Sequence, residues 1–374
     1  MTEQTAAATS RYLRLADLLG QDPDNLALLA DTAEAAFAEE RFEAAQALLD
    51  RQSLLAPLAP QGQHLAGLIA MRRMDWPRAA EIYQTLLASG NDAPPVRFNL
   101  AWSLAMAKRF EEALAALDEP ASLALPQAAQ LEVQLLHQLG MFDRALERAR
   151  ALIEIHPDHR GLNAIISTLA IDMEDSALAL RTAEKAGDHP DALTTLGTLA
   201  LGEDDPDTAA QLFEAALARA PEAPRAWVGR GLTRLLGDDK AAAAADLDKG
   251  ADMFGTHLGS WIAAGWAHAL AGDRATARAR FEKALALDDT FGEAQGSLAV
   301  IELLDGQVEE AKRRTEVALR LDRDSFSGAL AAMLLAAGEG KPDRAARIFE
   351  TALRTPIGEN GKTLAQALAR LGAR

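Results

Sequence analysis

Small apolar residues recur along this chain at a fixed interval of 34 positions. Ala209, Ala243, Ala277, Ala311 and Ala345 are spaced in this way. So are Ala216, Gly250, Ala284, Ala318 and Ala352 seven positions on, and Gly197, Gly231, Gly265 and Ala299 twelve positions before the first set. A period of this length is the mark of a stacked supersecondary unit. It predicts a helix A, a tight turn and a helix B in each unit, with Gly or Ala wherever the two backbones cross closely. Phe213, Phe281 and Phe349 follow their alanines by four residues. They share a face of helix B one turn on and can plug the space against the next unit. Pro157 and Pro221 fall where a proline ends helix B without removing an internal hydrogen bond.

The combination resembles the tetratricopeptide repeat, whose pattern runs from a large residue through Leu-Gly and Tyr to Ala, Phe, Ala and Pro. Residues 258–291 carry it as Trp261, Ala264, Gly265, Ala277, Phe281 and Ala284. Upstream units keep Gly67, Ala79, Tyr83 and Leu86, then Leu100, Ala101, Ala113 and Leu117, and in the first unit Ala33, Ala45 and Leu49. The frame runs 26–59, 60–93, 94–125, 126–159, 160–189, 190–223, 224–257, 258–291, 292–325 and 326–359. The resemblance implies an all-α, right-handed α-solenoid superhelix of about ten such hairpins. Residues 1–9 are expected to be disordered, and 10–25 to form a lone capping helix whose end is marked by Leu18, Asp22, Pro23 and Asn25. An N-terminal lobe over 26–159, an irregular joint over 160–189 and a C-terminal lobe over 190–359 follow from where the register slips. Leu364, Leu368 and Leu371 predict a one-sided capping helix within 360–374.

Composition changes this picture mainly by exclusion. Of 374 residues, 55 are acidic and 38 are Lys or Arg, a net charge of −17 spread over both halves. Phosphate-backbone binding depends on clustered cations releasing counterions, so nucleic acid is not an expected partner. The best basic runs, Arg144, Arg148 and Arg150 and then Lys312, Arg313 and Arg314, share their helices with Glu147, Glu309, Glu310 and Glu316, as solvated faces do. Cysteine is absent, which removes disulfides and thiolate chemistry. No leader-like or membrane-length apolar run is read in the sequence, so a cytoplasmic protein without membrane insertion is expected.

Motifs with chemical potential fare poorly. Residues 358–363 read GENGKT and end like a phosphate-binding loop, but Pro356 stands where the first glycine is required and no strand precedes it. His156, Asp158 and His159 lie at a helix end without further ligands at a fixed spacing. The acidic pairs Asp204/Asp205, Asp238/Asp239 and Asp288/Asp289 read as turns and caps. No enzyme activity, cofactor or metal is expected.

In proteins of this resemblance the concave surface comes mainly from helix A. Carrying those places over implies a partner-binding groove of His64, Met71 and Arg72, then Phe98, Asn99, Trp102 and Met106, then Gln130, Gln134 and His137. In the second lobe it implies a more apolar strip with Val228, Ile262, Trp266 and Val300. Trp102 and Trp266, both ninth in their units, each admit two readings: contact with a partner in the groove, or filling of the superhelix or contact with a neighbouring lobe. Trp76, Trp227 and Trp261 are expected in the core. Arg230 and Arg234 stand where Leu and Tyr are usual, either paired with acids such as Asp238 or offering an anion site. The expected function is a non-catalytic scaffold or adaptor that binds a peptide or helix of another protein, with a homo-oligomer also open. The alternative is a carrier or sensor of a small apolar ligand.

Overall fold

A computed structural model describes residues 10–237 and 239–354, and 22 α-helices are found among them. The residues expected as a disordered N-terminus and as a C-terminal capping helix, and the GENGKT segment, lie outside the described residues. The chain divides into two compact units, one ending at Ile165 and one beginning at Ile166.

In the first unit α1 (Arg11–Gln21) precedes the pairs α2 (Leu26–Ala38) and α3 (Phe42–Leu55), then α4 (Pro60–Arg72) and α5 (Trp76–Ala88). Next come α6 (Pro94–Met106), α7 (Phe110–Ala116) and α8 (Glu119–Ala124), followed by α9 (Pro126–Gln138) and α10 (Phe142–Ile155). Helix α11 (Arg160–Asp172) crosses the division and pairs in sequence with α12 (Ser176–Ala186). The second unit continues with α13 (Pro190–Gly202) and α14 (Pro206–Arg219), α15 (Pro224–Leu236) and α16 (Lys240–Phe254), and α17 (Leu258–Leu270) and α18 (Arg274–Leu287). It ends with α19 (Gly292–Leu304) and α20 (Val308–Leu321), then α21 (Phe326–Gly338) and α22 (Pro342–Arg354). From Leu26 to Phe326, each first helix opens at the residue that opens its unit in the 34-residue frame.

The turns are built alike for a local reason. A left-handed residue stands fifteenth in nine units: Glu40, Met74, Lys108, Glu174 and Asp204 with φ of 55° to 62°, and Gly140, Gly272, Gly306 and Gly340. That conformation reverses the chain after one helix so that the next can begin two residues later. The following residue is often a capping aspartate. Asp75, Asp175, Asp205, Asp239 and Asp273 each accept a hydrogen bond from the amide three residues on. First helices commonly open on proline, as at Pro60, Pro94, Pro126, Pro190 and Pro224, where the missing N–H costs nothing.

Packing within a hairpin is knob into hole. Tyr83, Phe213 and Phe281, at the twenty-fourth place, are wholly buried. Each ring occupies the space that a side chain at the eighth place would need. A Cβ on Gly67 would lie 2.6 Å from Tyr83 Cζ, one on Gly197 2.9 Å from Phe213 Cε1, and one on Gly265 2.3 Å from Phe281 Cε1. Gly229, on the next first helix, is equally close to Phe213 at 2.3 Å, so one ring ties two hairpins.

Two departures are local. The second helix of 94–125 is broken: α7 stops at Ala116, Leu117 is extended, and Asp118 caps α8 by accepting from Ala121 N. Pro120 cannot continue the earlier helix, because it lacks an N–H and would crowd the carbonyl four residues back. In the last two hairpins the first helices approach each other closely. A Cβ on Gly296 would lie 2.3 Å from Gly328 N, while Ser297 Oγ donates to Ser327 Oγ at 3.0 Å and Ser327 N donates to Glu293.

Gly265→Ala is expected to cost about 1–3 kcal/mol, since the Phe281 ring has nowhere to go. Gly20→Ala, in α1 with nothing within 4 Å, should be neutral or stabilising. Urea denaturation followed by circular dichroism checks both, and Gly265→Ala/Phe281→Leu should recover part of the loss.

Candidate partner-binding surfaces on the first helices

Each first-helix candidate in the first unit has a defined setting. Met71, Phe98 and Trp102 are half-buried against a cluster that includes Tyr83, Leu86, Leu100, Leu104, Leu131 and Leu135. The Phe98 and Trp102 rings meet with centroids 6.1 Å apart, and Met106 one turn on is 45% exposed. Arg72 and Gln134 are exposed. Gln130 and His137 are half-buried. Gln130 is folded onto Gly161, whose added Cβ would lie 2.1 Å from its Oε1, and His137 stands edge-on to Phe142 at 5.6 Å.

Asn99 is different. It is buried, and its Nδ2 donates to Tyr83 Oη at 3.2 Å while Tyr83 Oη reaches the His64 carbonyl at 3.4 Å. Burial raises the Tyr83 phenol above its ordinary value against the opposing Asn99 hydrogen bond, so the group remains a neutral donor. Burial also lowers the His64 imidazole below its usual range. Its Nδ1 is buried without a hydrogen-bond partner among the described residues, and the ring stands edge-on to Tyr83 at 5.7 Å. Asn99 thus joins its hairpin to the one before it, with its Nδ2 engaged by Tyr83.

In the second unit Val228, Ile262 and Trp266 are half-buried and Val300 is buried. Val300 is buried with Ala299 and Ala331, and Val228 packs on Ala244, Leu247 and Ala264. Ile262 and Trp266 each bridge two neighbouring core clusters, and Trp266 is edge-on to Phe281 at 5.5 Å. Trp266 is half-buried, as Trp102 is. Of the three tryptophans expected in the core, Trp261 is buried, whereas Trp76 and Trp227 are half-buried. The Trp227 indole N–H donates to the Pro221 carbonyl at 2.7 Å, and its ring lies under Arg230 and Lys249, a packing suited to the hairpin edge.

Polar pairs join the helices where the seventh and twenty-third places meet. Arg230 binds Asp246 through Nε and Nη2 at 2.7 and 2.8 Å, and Arg234 Nη1 reaches the same carboxylate at 2.7 Å. The acid is therefore Asp246, one hairpin partner away, and Asp238 lies outside the described residues. In the first unit the same two places hold Glu132 and Arg148, paired at 2.5 and 3.1 Å with the charges reversed. Asp248 links α16 to α18 and α17 through Arg280 at 2.7 Å and His268 at 2.9 Å. Spacing on one helix could not reveal these partners, because each lies on another helix.

The two histidines near Pro157 have structural work. His159 Nδ1 accepts from Leu162 N at 3.1 Å as the cap of α11, and His156 Nε2 is 3.0 Å from the Ser122 carbonyl. Among the described residues no three His, Asp or Glu side chains form a group that could hold a metal ion, and no helix is long and apolar enough to cross a membrane.

The tetratricopeptide repeat profile matches residues 64–122 and 194–256. Over these two segments the chain is similar to the tetratricopeptide repeat. A monomeric mutant of IFIT1 with Gppp-AAAA is similar over 88% of this chain and 90% of its own, at 13% identity and a TM-score of 0.52. Cut9–Hcn1, described as an APC/C hetero-tetramer, is similar over 98% and 88%, at 14% identity and a TM-score of 0.51. The crystal structure of MamA matches 42% of this chain and 92% of its own, at 20% identity and a TM-score of 0.35. No curated protein matches in sequence. At these identities the first two establish a shared all-helical fold of paired hairpins.

The Asp248 network gives a pH dependence. Burial pushes the carboxyl up, but the hydrogen bonds and charges of Arg280 and His268 outweigh it and hold Asp248 below the usual carboxylate range. A carboxylate lowered on folding stabilises the folded state above its unfolded value of about 3.9 and loses that effect as pH falls through the lower folded value. Asp248→Asn is expected to cost roughly 1–3 kcal/mol at pH 7. It should also flatten the decline of stability below about pH 4, as measured by urea melts across pH.

Proposed function

We propose that this chain is a non-catalytic interaction module that holds a peptide or helix of another protein on the first helices of its N-terminal unit. Tetratricopeptide repeats typically mediate protein–protein contact, and the reading is carried here by one observation. Phe98 and Trp102 meet at a tilt, half-buried and footed on the hydrophobic core, with Met71 beside the same core and Met106 exposed one turn on. Rigid aromatics and pliable thioethers in this setting lose little entropy on binding and bury large apolar areas. Arg72, Gln130, Gln134 and His137 add polar groups on the neighbouring first helices, suited to a peptide's carbonyls and amides.

The second unit plays a different part in this proposal. Val228, Ile262, Trp266 and Val300 serve mainly to pack its hairpins, which weakens the alternative of an apolar carrier built on that strip. In the cytoplasmic setting expected from the sequence, the partner is another protein and no cofactor takes part.

Phe98→Ala/Trp102→Ala should abolish retention of specific partners in an affinity pull-down read by mass spectrometry, with helicity unchanged. If the same proteins are retained, the proposal fails. Trp266→Ala should instead destabilise the second unit, on the order of 3 kcal/mol, and leave partner retention intact.

A further inference from the structure

A half-open cleft of about 730 Å³ lies on neither predicted surface, in the last hairpins, lined mainly by α21 and α22 with Leu319 of α20 beside them. Its apolar lining includes Leu319, Phe326, Ala329, Ala332, Ile348 and Ala352. The close approach of α19 and α21 at Gly296 and Gly328 brings first helix against first helix beside this space. Phe326 opens α21 where several other first helices have proline, and it stands 45% exposed at the cleft.

Three cationic side chains gather around the cleft. Elsewhere in the second unit Arg225, Arg230, Arg234, Arg278, Arg280 and Arg314 are all bound to Asp or Glu. Arg323, Arg344 and Arg347 line the cleft, are exposed, and their guanidinium groups form no ion pair or hydrogen bond among the described residues. Of the two acids in the lining, Glu293 is turned to Ser327 N, which leaves Asp324 as the opposing charge. In a chain of net charge −17 this is a local cationic rim around an apolar floor.

We propose that this cleft is a second docking site and takes an acidic amphipathic helix from a partner protein. An apolar stripe would lie on Leu319, Phe326 and Ile348, and the small residues Ala329 and Ala332 allow close approach of a helix backbone. Flanking carboxylates would meet Arg323, Arg344 and Arg347, which can bind them in bidentate fashion. A space open along one side and walled by two helices suits a helix better than a fatty acid, whose chain calls for enclosure. This site is independent of the Phe98 and Trp102 surface.

The test is fluorescence anisotropy on the full chain with a labelled 16-residue helical peptide, Leu on one face and Glu on the other, about as long as the cleft's walls. The acidic peptide should bind, weaken with salt, and lose about 10-fold or more in affinity with Arg344→Glu/Arg347→Glu, a change of exposed side chains that leaves helicity intact. Phe98→Ala/Trp102→Ala should leave this binding unchanged, so failure here and failure of the first-helix surface are separable. Equal binding of a Lys-for-Glu peptide, or indifference to the arginine variant, would overturn the proposal. So would arginine-dependent binding of palmitate without binding of the peptide, which would make the site one for a small anionic amphiphile. Strong peptide binding that appears only after residues 355–374 are removed would assign the cleft to the chain's own terminus.

Discussion

The ring that fills the space over a glycine is the contact on which the rest of this structure depends. Tyr83, Phe213 and Phe281 lie where no side chain could stand on Gly67, Gly197 and Gly265, so the two helices of a hairpin come close enough to exclude water between them. Phe213 does this twice, against its own hairpin and against Gly229 of the next. The arrangement is a matter of volume at two places, not of one residue type. Where the eighth place holds Val133, the twenty-fourth holds Ala149, and both are buried. Large and small residues exchange positions while the pair still fills a dense interior.

Once the hairpins are closed by this packing, polar residues at their margins find partners across helices. The reversed pairs Glu132–Arg148 and Arg230–Asp246 occupy equivalent places, so where these two places are charged an ion pair forms whichever helix carries which sign. Each acid is nearly buried and would be costly without its guanidinium, which ties these pairs to hairpin geometry as much as to stability. Such pairs take many arginines of this acidic chain out of reach of ligands, whereas three without ion pairs gather at one cleft.

First helices in both units keep large side chains half-buried, Phe98 and Trp102 in the first and Val228, Ile262 and Trp266 in the second, while Val300 is buried. Trp102 leans on Phe98 at the edge of its core, whereas Trp266 is set between two clusters and against Phe281. Both stand ninth in their units.

Much of the architecture was legible because it is local. The 34-residue period, the small residues at crossing points, the prolines that open first helices and the aspartates that cap second ones all act within a few residues of themselves. They determined an all-helical chain of paired hairpins and where each first helix begins. Contacts that join distant places were left to the tertiary structure. Asn99 looked like a groove residue and is held by Tyr83, Arg230 and Arg234 looked for Asp238 and hold Asp246, and Val300 is buried. The cleft beside Phe326 had no mark in the sequence, because it comes from the distance between two helices and not from the residues of either. A repeat encodes its own hairpin by short-range sterics and capping. The exposure of a given side chain depends on how closely neighbouring hairpins pack, and only the folded structure decides that.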